Sequence, residues 1–279
     1  MTGVQTCALP ISRFQIAWQS AANSRHFVWL YSVASLVVWA PAVVWVLAQP
    51  HGSYGVAQWL ALGGTAVLHL LYSLTLQVGY RVADLSLVYP IARGTGPLLS
   101  FVGAALLFHE RPGPPAAAGL LLIVAGIVLI ADLHHALRRS ALPGLMWGSL
   151  TGAFIAAYTL NDGWAVKILG LSPFLIDFSG NCFRVLALSH LALNDRGELA
   201  HEWRSYRRPV LIVATLGPLG YLLVLWAMQL GSIAEAAALR EISVILVVLF
   251  GIHYLKEPFG RPRLLACGLV MIGILVMKF

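Results

Sequence analysis

Apolar runs of about 20 residues recur along almost the whole chain, and each is long enough to cross a bilayer core about 30 Å thick. With boundaries good to a few residues, they span Phe27–Leu47, Gln58–Val78, Leu85–Phe108 and Pro115–Ala131. After a polar stretch, Asp132–Arg139, five more follow: Leu142–Val166, Leu171–Leu193, Pro209–Gln229, Ser232–Leu255 and Leu264–Phe279. Only 10% of the 279 residues are charged, against roughly a quarter in a soluble domain, so the chain cannot cover itself with a polar surface. An all-α membrane protein with nine full spans is expected. The net charge of +7 sits in short loops, without the aromatic-interleaved basic stripe of a nucleic-acid surface. Arg25, Arg81, Arg138, Arg139, Arg196, Arg204, Arg207, Arg208, Lys256, Arg261 and Arg263 fall in alternate loops, which the positive-inside rule places in the cytoplasm.

The first residues stand apart. Met1–Ile11, MTGVQTCALPI, resemble a translated sequencing adapter, and they lack both the basic start of a signal peptide and the length of a span. They are set aside from fold reasoning, together with Cys7. Phe14–Ser24 reads as the tail of a tenth helix, the first in order, largely missing here. Cys182 and Cys267 lie inside apolar runs as small hydrophobes, and no spacing matches a metal site or a disulfide framework. No metal and no cofactor is expected.

Shifting the chain by 147 positions lays Arg93 on Arg240, Glu110 on Glu257 and Gly126 on Gly273 without a gap. The matched segments, Leu85–Ile130 and Ser232–Met277, each read as a helix, a short acidic and proline-containing loop, and a glycine-containing helix. Internal repeats of this kind mark transporter folds. Four spans precede Asp132 and five follow it, so the symmetric solution is ten helices in two five-helix repeats. An odd number of helices forces the second repeat to insert upside down relative to the first. The expected domains are residues 12–136, a first repeat lacking its N-terminal part, and residues 142–279, the second.

The segment DLSLVYPIARGTGPLLSFVGAALLFHERPGPPAAAGLLLIVAGIVLIAD and its echo SIAEAAALREISVILVVLFGIHYLKEPFGRPRLLACGLVMIGILVM resemble the EamA-type transporters of the drug/metabolite transporter (DMT) superfamily. The resemblance runs from Trp18 to the C-terminus and rests on the helix-ending Glu110 and Glu257 and the glycine-rich helices after them. Trp18-Gln19 looks like the end of the family's first helix, with Gln19 where asparagine is usual. The resemblance implies ten helices in two inverted repeats around a central substrate cavity. It also implies movement of amino acids, other metabolites or drugs, mostly outward. Family members usually keep both termini cytoplasmic, whereas the charge count puts this C-terminus outside.

A charge at the bilayer centre costs roughly 2.5–3.5 kcal/mol on insertion scales, so charged residues deep in spans need a partner, water or a task. Ser86, Tyr89, Arg93 and Ser100 share one helical face. Pro90, Gly94, Gly96 and Pro97 weaken their helix, which places Arg93 at an expected interruption facing a substrate path. The alternative is a snorkelling or ion-paired structural arginine. Arg240 mirrors Arg93, and two guanidiniums in one midplane cavity suit a carboxylate or phosphate. Glu235 and Glu241 are candidate ion-coupling carboxylates, or else internal counter-ions for Arg240. Ser243 lies on the same span. Asp177, Asn181 and Arg184 form one polar stripe, as do Thr151, Tyr158 and Asp162, the last near the interface. His69 and Tyr72 project from one side of their span. Substrate binding is assigned to Arg93, Arg240, Tyr89, Asp177, Asn181, Arg184 and Tyr158, gathered around one cavity. Glu110 and Glu257 read as loop structure, and His134-His135 as an isolated loop pair.

These features point to a multi-pass protein of the bacterial inner membrane. It is read as a secondary transporter, exporting small polar metabolites such as amino acids or organic anions by alternating access. Its expected partners are the small-molecule substrate, the lipid bilayer and protons as coupling ion, with no nucleic acid and a monomeric or homodimeric state. No phosphate loop, G-x-S-x-G or HExxH argues for an enzyme. The competing class is an intramembrane enzyme or lipid-modifying protein using buried carboxylates such as Asp177 or Glu235.

Overall fold

A computed structural model describes residues 25–50, 53–83, 85–130, 133–242 and 261–278. Among these residues the chain is helical, with no strand. In order the helices are α1 (Arg25–Ala48), α2 (Val56–Val82), α3 (Leu85–Leu107), α4 (Pro114–Ile130), α5 (Leu133–Gly163), α6 (Pro173–Asn194), α7 (Arg196–Leu230), α8 (Ile233–Leu239) and α9 (Arg261–Lys278). A π-helical turn, Trp164–Ile168, extends α5, and Gly170 at φ 66° lets the chain turn towards α6. The adapter-like Met1–Ile11, the helix tail Phe14–Ser24, Ser243 and Glu257 lie outside the described residues.

Helices α1, α2, α3 and α7 are long and apolar enough to cross a membrane, and α4 and α9 are shorter apolar helices. Large apolar side chains stand exposed on them, among them Trp45, Leu60, Leu106 and Leu223. In lipid that exposure is solvation, because acyl chains are as apolar as leucine.

The chain divides into two compact units. The first comprises residues 1–66, 171–223 and 250–258. In it α1 and α6 pack antiparallel. Trp39 meets Phe174 (ring centroids 5.9 Å apart), and Trp29 Nε1 donates to Ser189 Oγ at 3.1 Å. Helix α7, at 35 residues, is about 52 Å long at 1.5 Å per residue, well over one bilayer core. It bends at Tyr206 (φ −121°), three residues before Pro209, whose ring crowds the carbonyl one turn back. The bend separates a polar segment, Arg196–Arg208, from the apolar stretch expected to span.

The second unit comprises residues 67–170, 224–249 and 259–279. Glycines set its helix spacing. Along α5, Gly148 faces Ile91, and along α3, Gly96 faces Ile155, where a β-carbon would come within 2.9 and 2.7 Å of those side chains. Close backbone approach is how helices associate without a hydrophobic drive. Helices α4 and α9 pack in the same way and antiparallel. Gly119 lies against the carbonyl of Gly273, and Gly126 against Val270 and the carbonyl of Ala266. Ala116, Leu120, Ile123, Ile127 and Met277 fill the seam.

Three expectations are corrected here. Helix α3 runs unbroken past Arg93, although Pro90, Gly94, Gly96 and Pro97 argued for an interruption. Its glycines are used for packing on α5, and Thr95 Oγ1 (to Ile91 O, 2.7 Å) and Ser100 Oγ (to Gly96 O, 2.8 Å) bond the backbone through that stretch. The polar stretch after α4 is not a loop. Leu133–Arg139 forms the start of α5, so His134-His135 is helical, consistent with Ala, Leu and Arg as good helix formers and no glycine or proline before Pro143. The break occurs instead where the sequence showed none: α8 ends at Leu239, with Arg240 as its C-cap.

Candidate functional site

Arg93 and Arg240, 147 positions apart, converge on one cluster in the second unit. Arg93 Nη1 donates to Glu241 Oε1 at 3.2 Å, and Glu241 is 0% exposed. The Arg93 guanidinium also lies over Tyr89, 5.4 Å from the ring centroid. Arg240 lies over Tyr158 at 5.6 Å. Tyr158 is in turn stacked on His69 (4.1 Å, 27° between planes) and met edge-on by Tyr72 at 5.7 Å. Aromatic faces carry negative potential, so each ring helps hold a desolvated guanidinium.

The local chain explains the placement. Ser232 is the N-cap of α8, accepting from the Glu235 N–H at 3.3 Å in an S-x-x-E pattern. Seven residues later the regular helix stops, and Arg240 and Glu241 follow it in a turn, with Arg240 still in the right-handed helical region. Irregular backbone at membrane depth is tolerated where protein buries it or a cavity needs it. Glu235 thus sits in the first turn of α8, away from the Arg240–Glu241 end.

Two groups in this cluster are left open. Arg240 Nε and Glu241 Oε2 are buried, and neither has a hydrogen-bond partner among the described residues. One is a donor on a cation, the other an acceptor on an anion. A buried polar atom without a partner costs about 1–3 kcal/mol, more when charged.

A different carboxylate is fully used. The chain leaves α3 through His109 at φ 54°, a left-handed conformation that turns it sharply. Glu110 then accepts from Lys167 Nζ (2.7 Å), Ser232 Oγ (2.8 Å), Ile233 N (3.0 Å) and Ala234 N (3.3 Å). Lys167 also donates to Gly231 O at 2.8 Å. Burial alone would raise the pKa of Glu110. The lysine and the amides at the head of α8 outweigh it and hold the carboxyl below its usual range. The S-x-x-E pattern at Ser232–Glu235 was the readable signal for a helix start there, but no spacing tied Glu110 to Lys167 or to that helix.

The remaining site residues fall in the first unit or elsewhere in α5. Asn181 Nδ2 donates to Asp177 Oδ2 at 3.0 Å, and Arg184 Nη1 donates to Asn181 Oδ1 at 3.0 Å. Asn181 thus bridges two charges that stand too far apart on α6 to pair. Arg184 also lies over Tyr31 of α1 at 5.7 Å. Asp162, expected near the interface, is 1% exposed, and Thr151 bonds back to Trp147 O at 2.7 Å.

Comparison with known proteins adds the family. Residues 142–279 match the EamA-like transporter family. This half of the chain belongs to it. The EamA-like half contains Tyr158, Arg240 and Glu241, together with Asp177, Asn181 and Arg184, while Arg93, Tyr89, Tyr72 and His69 precede it. With its apolar helices, the protein is a multi-pass membrane protein of DMT transporter type. A solved crystal structure of a protein shares its fold at TM-score 0.68 and 20% identity, over 98% of this chain and 96% of that one. No curated protein matches the chain in sequence.

Proposed function

We propose that this EamA-like protein is a secondary transporter of the bacterial inner membrane that exports small zwitterionic metabolites, amino acids foremost. The observation that carries the proposal is the pair of open groups at Arg240 and Glu241. A substrate carboxylate would satisfy Arg240 Nε, and a substrate ammonium would satisfy Glu241 Oε2. Either one alone leaves the other unpaired, so the site favours a molecule carrying both. Tyr72, Tyr158 and Tyr89 offer apolar and aromatic surface to a side chain.

Alternating access between two inverted repeats is supported by the α4–α9 seam. Under the 147-residue offset, Gly119 corresponds to Ala266 and Gly126 to Gly273. The contact Gly119–Gly273 is therefore matched by its counterpart Gly126–Ala266. Such reciprocal pairing is the signature of a two-fold relation. Because α4 and α9 run antiparallel, the axis is perpendicular to them, as an inverted repeat requires.

Counterflow of labelled amino acids in proteoliposomes tests the proposal. Arg93→Lys and Arg240→Lys keep the charge and lose the planar fork, so uptake falls about tenfold or more while the protein still elutes as folded. Unchanged counterflow in both variants would reduce these arginines to structural ion pairs. Glu241→Gln is expected to lower transport, because the amide offers a substrate ammonium no full anion. Turnover of a lipid or peptide substrate in detergent, without a gradient, would instead favour the intramembrane enzyme.

A further inference from the structure

The first unit holds a second cluster that the transport proposal does not use. His26, at the start of α1, faces Glu198 and Glu202 of α7, with one ligand atom from each within 4.8 Å of the others. The two glutamates are four residues apart on one helical face. They lie on the polar segment before the Tyr206 bend, where His201, Trp203 and Arg204 are exposed. Glu202 is the exception, at 7% exposed, and its Oε2 has no hydrogen-bond partner among the described residues. The segment is rich in arginine, but none stands three or four residues from either glutamate, so none can pair along the helix.

The surroundings hold the three side chains in place. Phe27, Leu30 and Val210 form a small core with Leu199 and Tyr206 packed on it, locking α1 to α7 beside the cluster. Asp195 Oδ1 accepts from the Glu198 N–H at 3.0 Å and caps the start of α7. A buried carboxylate with an open oxygen, beside an imidazole and a second carboxylate, is a costly arrangement unless a cation completes it.

We propose that His26, Glu198 and Glu202 bind a Zn²⁺-class transition-metal ion that clamps α1 to the polar segment of α7. Imidazole with carboxylates suits Zn²⁺, whereas Mg²⁺ and Ca²⁺ take all-oxygen sets. Zinc bonds of about 2.0–2.1 Å hold tetrahedral ligand atoms about 3.4 Å apart, within reach of small rotamer changes from the observed spread. Three protein ligands leave the fourth position to water. No metal-binding spacing was legible in the sequence because His26 lies 172 positions before Glu198.

Titration of the purified full chain in detergent with Zn²⁺, and with Co²⁺ as an optical probe, tests this. One ion is expected per chain, with a raised melting temperature and the visible absorption of four-coordinate Co²⁺. Mg²⁺ should do neither. His26→Asn and Glu202→Gln should each weaken binding beyond the about 10- to 100-fold that loss of an outer-shell partner costs, while His201→Asn leaves it intact. Glu198→Gln, at an exposed position, serves if the buried variant fails to fold, and it too must weaken binding. No stoichiometric Zn²⁺ binding, or binding unmoved by the His26 and Glu198 variants, overturns the proposal.

Discussion

Glu110 and Glu241 flank the same short helix, one before its first residue and one just past its end, and they are used in opposite ways. Glu110 receives four hydrogen bonds, from Lys167, Ser232 and the first two amides of α8. Glu241, fully buried, bonds Arg93 through one oxygen and keeps the other open, and the Nε of Arg240 is open as well. A saturated carboxylate has nothing left to offer a ligand and holds the junction of α3, the π-helical turn and α8. The half-used one is where a ligand can still gain free energy. What separates structure from site here is how much of each acid's bonding capacity the protein itself has filled.

The comparison can be broken first at Glu110. Glu110→Ala leaves the first two amides of α8 and the Lys167 ammonium without their carboxylate, with an expected loss of about 1–2 kcal/mol, that of a lost cap, since the lysine pair is partly exposed. Thermal unfolding in detergent would register it as a drop of several degrees. The sign of the pH effect follows from the lowered pKa. The contribution of Glu110 is complete above the ordinary carboxylate range and disappears as pH falls through the lower folded value. Glu110→Gln should flatten that acid limb, and an unaltered limb would mean the bonds contribute little.

The α4–α9 seam comes next. Gly126→Val forces a branched side chain against Val270 and the Ala266 carbonyl, an overpacking expected to cost about 1–3 kcal/mol. By the repeat relation, Gly273→Val on the other side should cost a similar amount. A large difference between the two would argue against reciprocal packing. At the Glu241 end transport is the readout. Glu241→Gln keeps the volume but removes a buried counter-charge from Arg93, so transport should drop together with a stability loss of up to about 3–5 kcal/mol. Smallest of all is Tyr158→Phe, which preserves the stack with His69 and the face offered to Arg240 and removes only the hydroxyl's hydrogen bond with Arg240. Transport should fall less than about threefold, whereas Tyr158→Ala removes the platform and should lower it further.

Much of this contrast is legible in the sequence, though unevenly. Length and apolarity of the runs mark the helices, because a bilayer imposes one length on every span. The ungapped offset by itself pairs Arg93 with Arg240. Helix continuity is harder to read: proline and glycine around Arg93 look like breakers locally, yet the glycines serve packing against α5, a tertiary use with no sequence signature. The stop at Arg240 has no proline or glycine to announce it. Glu110 reads as a loop acid until Lys167, Ser232 and the head of α8 are brought to it, and those partners lie 57 to 124 positions away.

Arg240 and Glu241 are proposed to hold a zwitterion between them. The most direct test is binding to the purified wild-type protein of one amino acid, its N-acetyl derivative and its carboxamide, each repeated with Arg240→Lys and Glu241→Gln. Saturable binding is expected of the free amino acid alone. Each blocked derivative should bind at least about tenfold more weakly, about 1.4 kcal/mol, and Glu241→Gln should narrow the gap for the N-acetyl form while Arg240→Lys narrows it for the carboxamide. Equal affinity for all three compounds, or discrimination that survives both substitutions, would contradict the proposal.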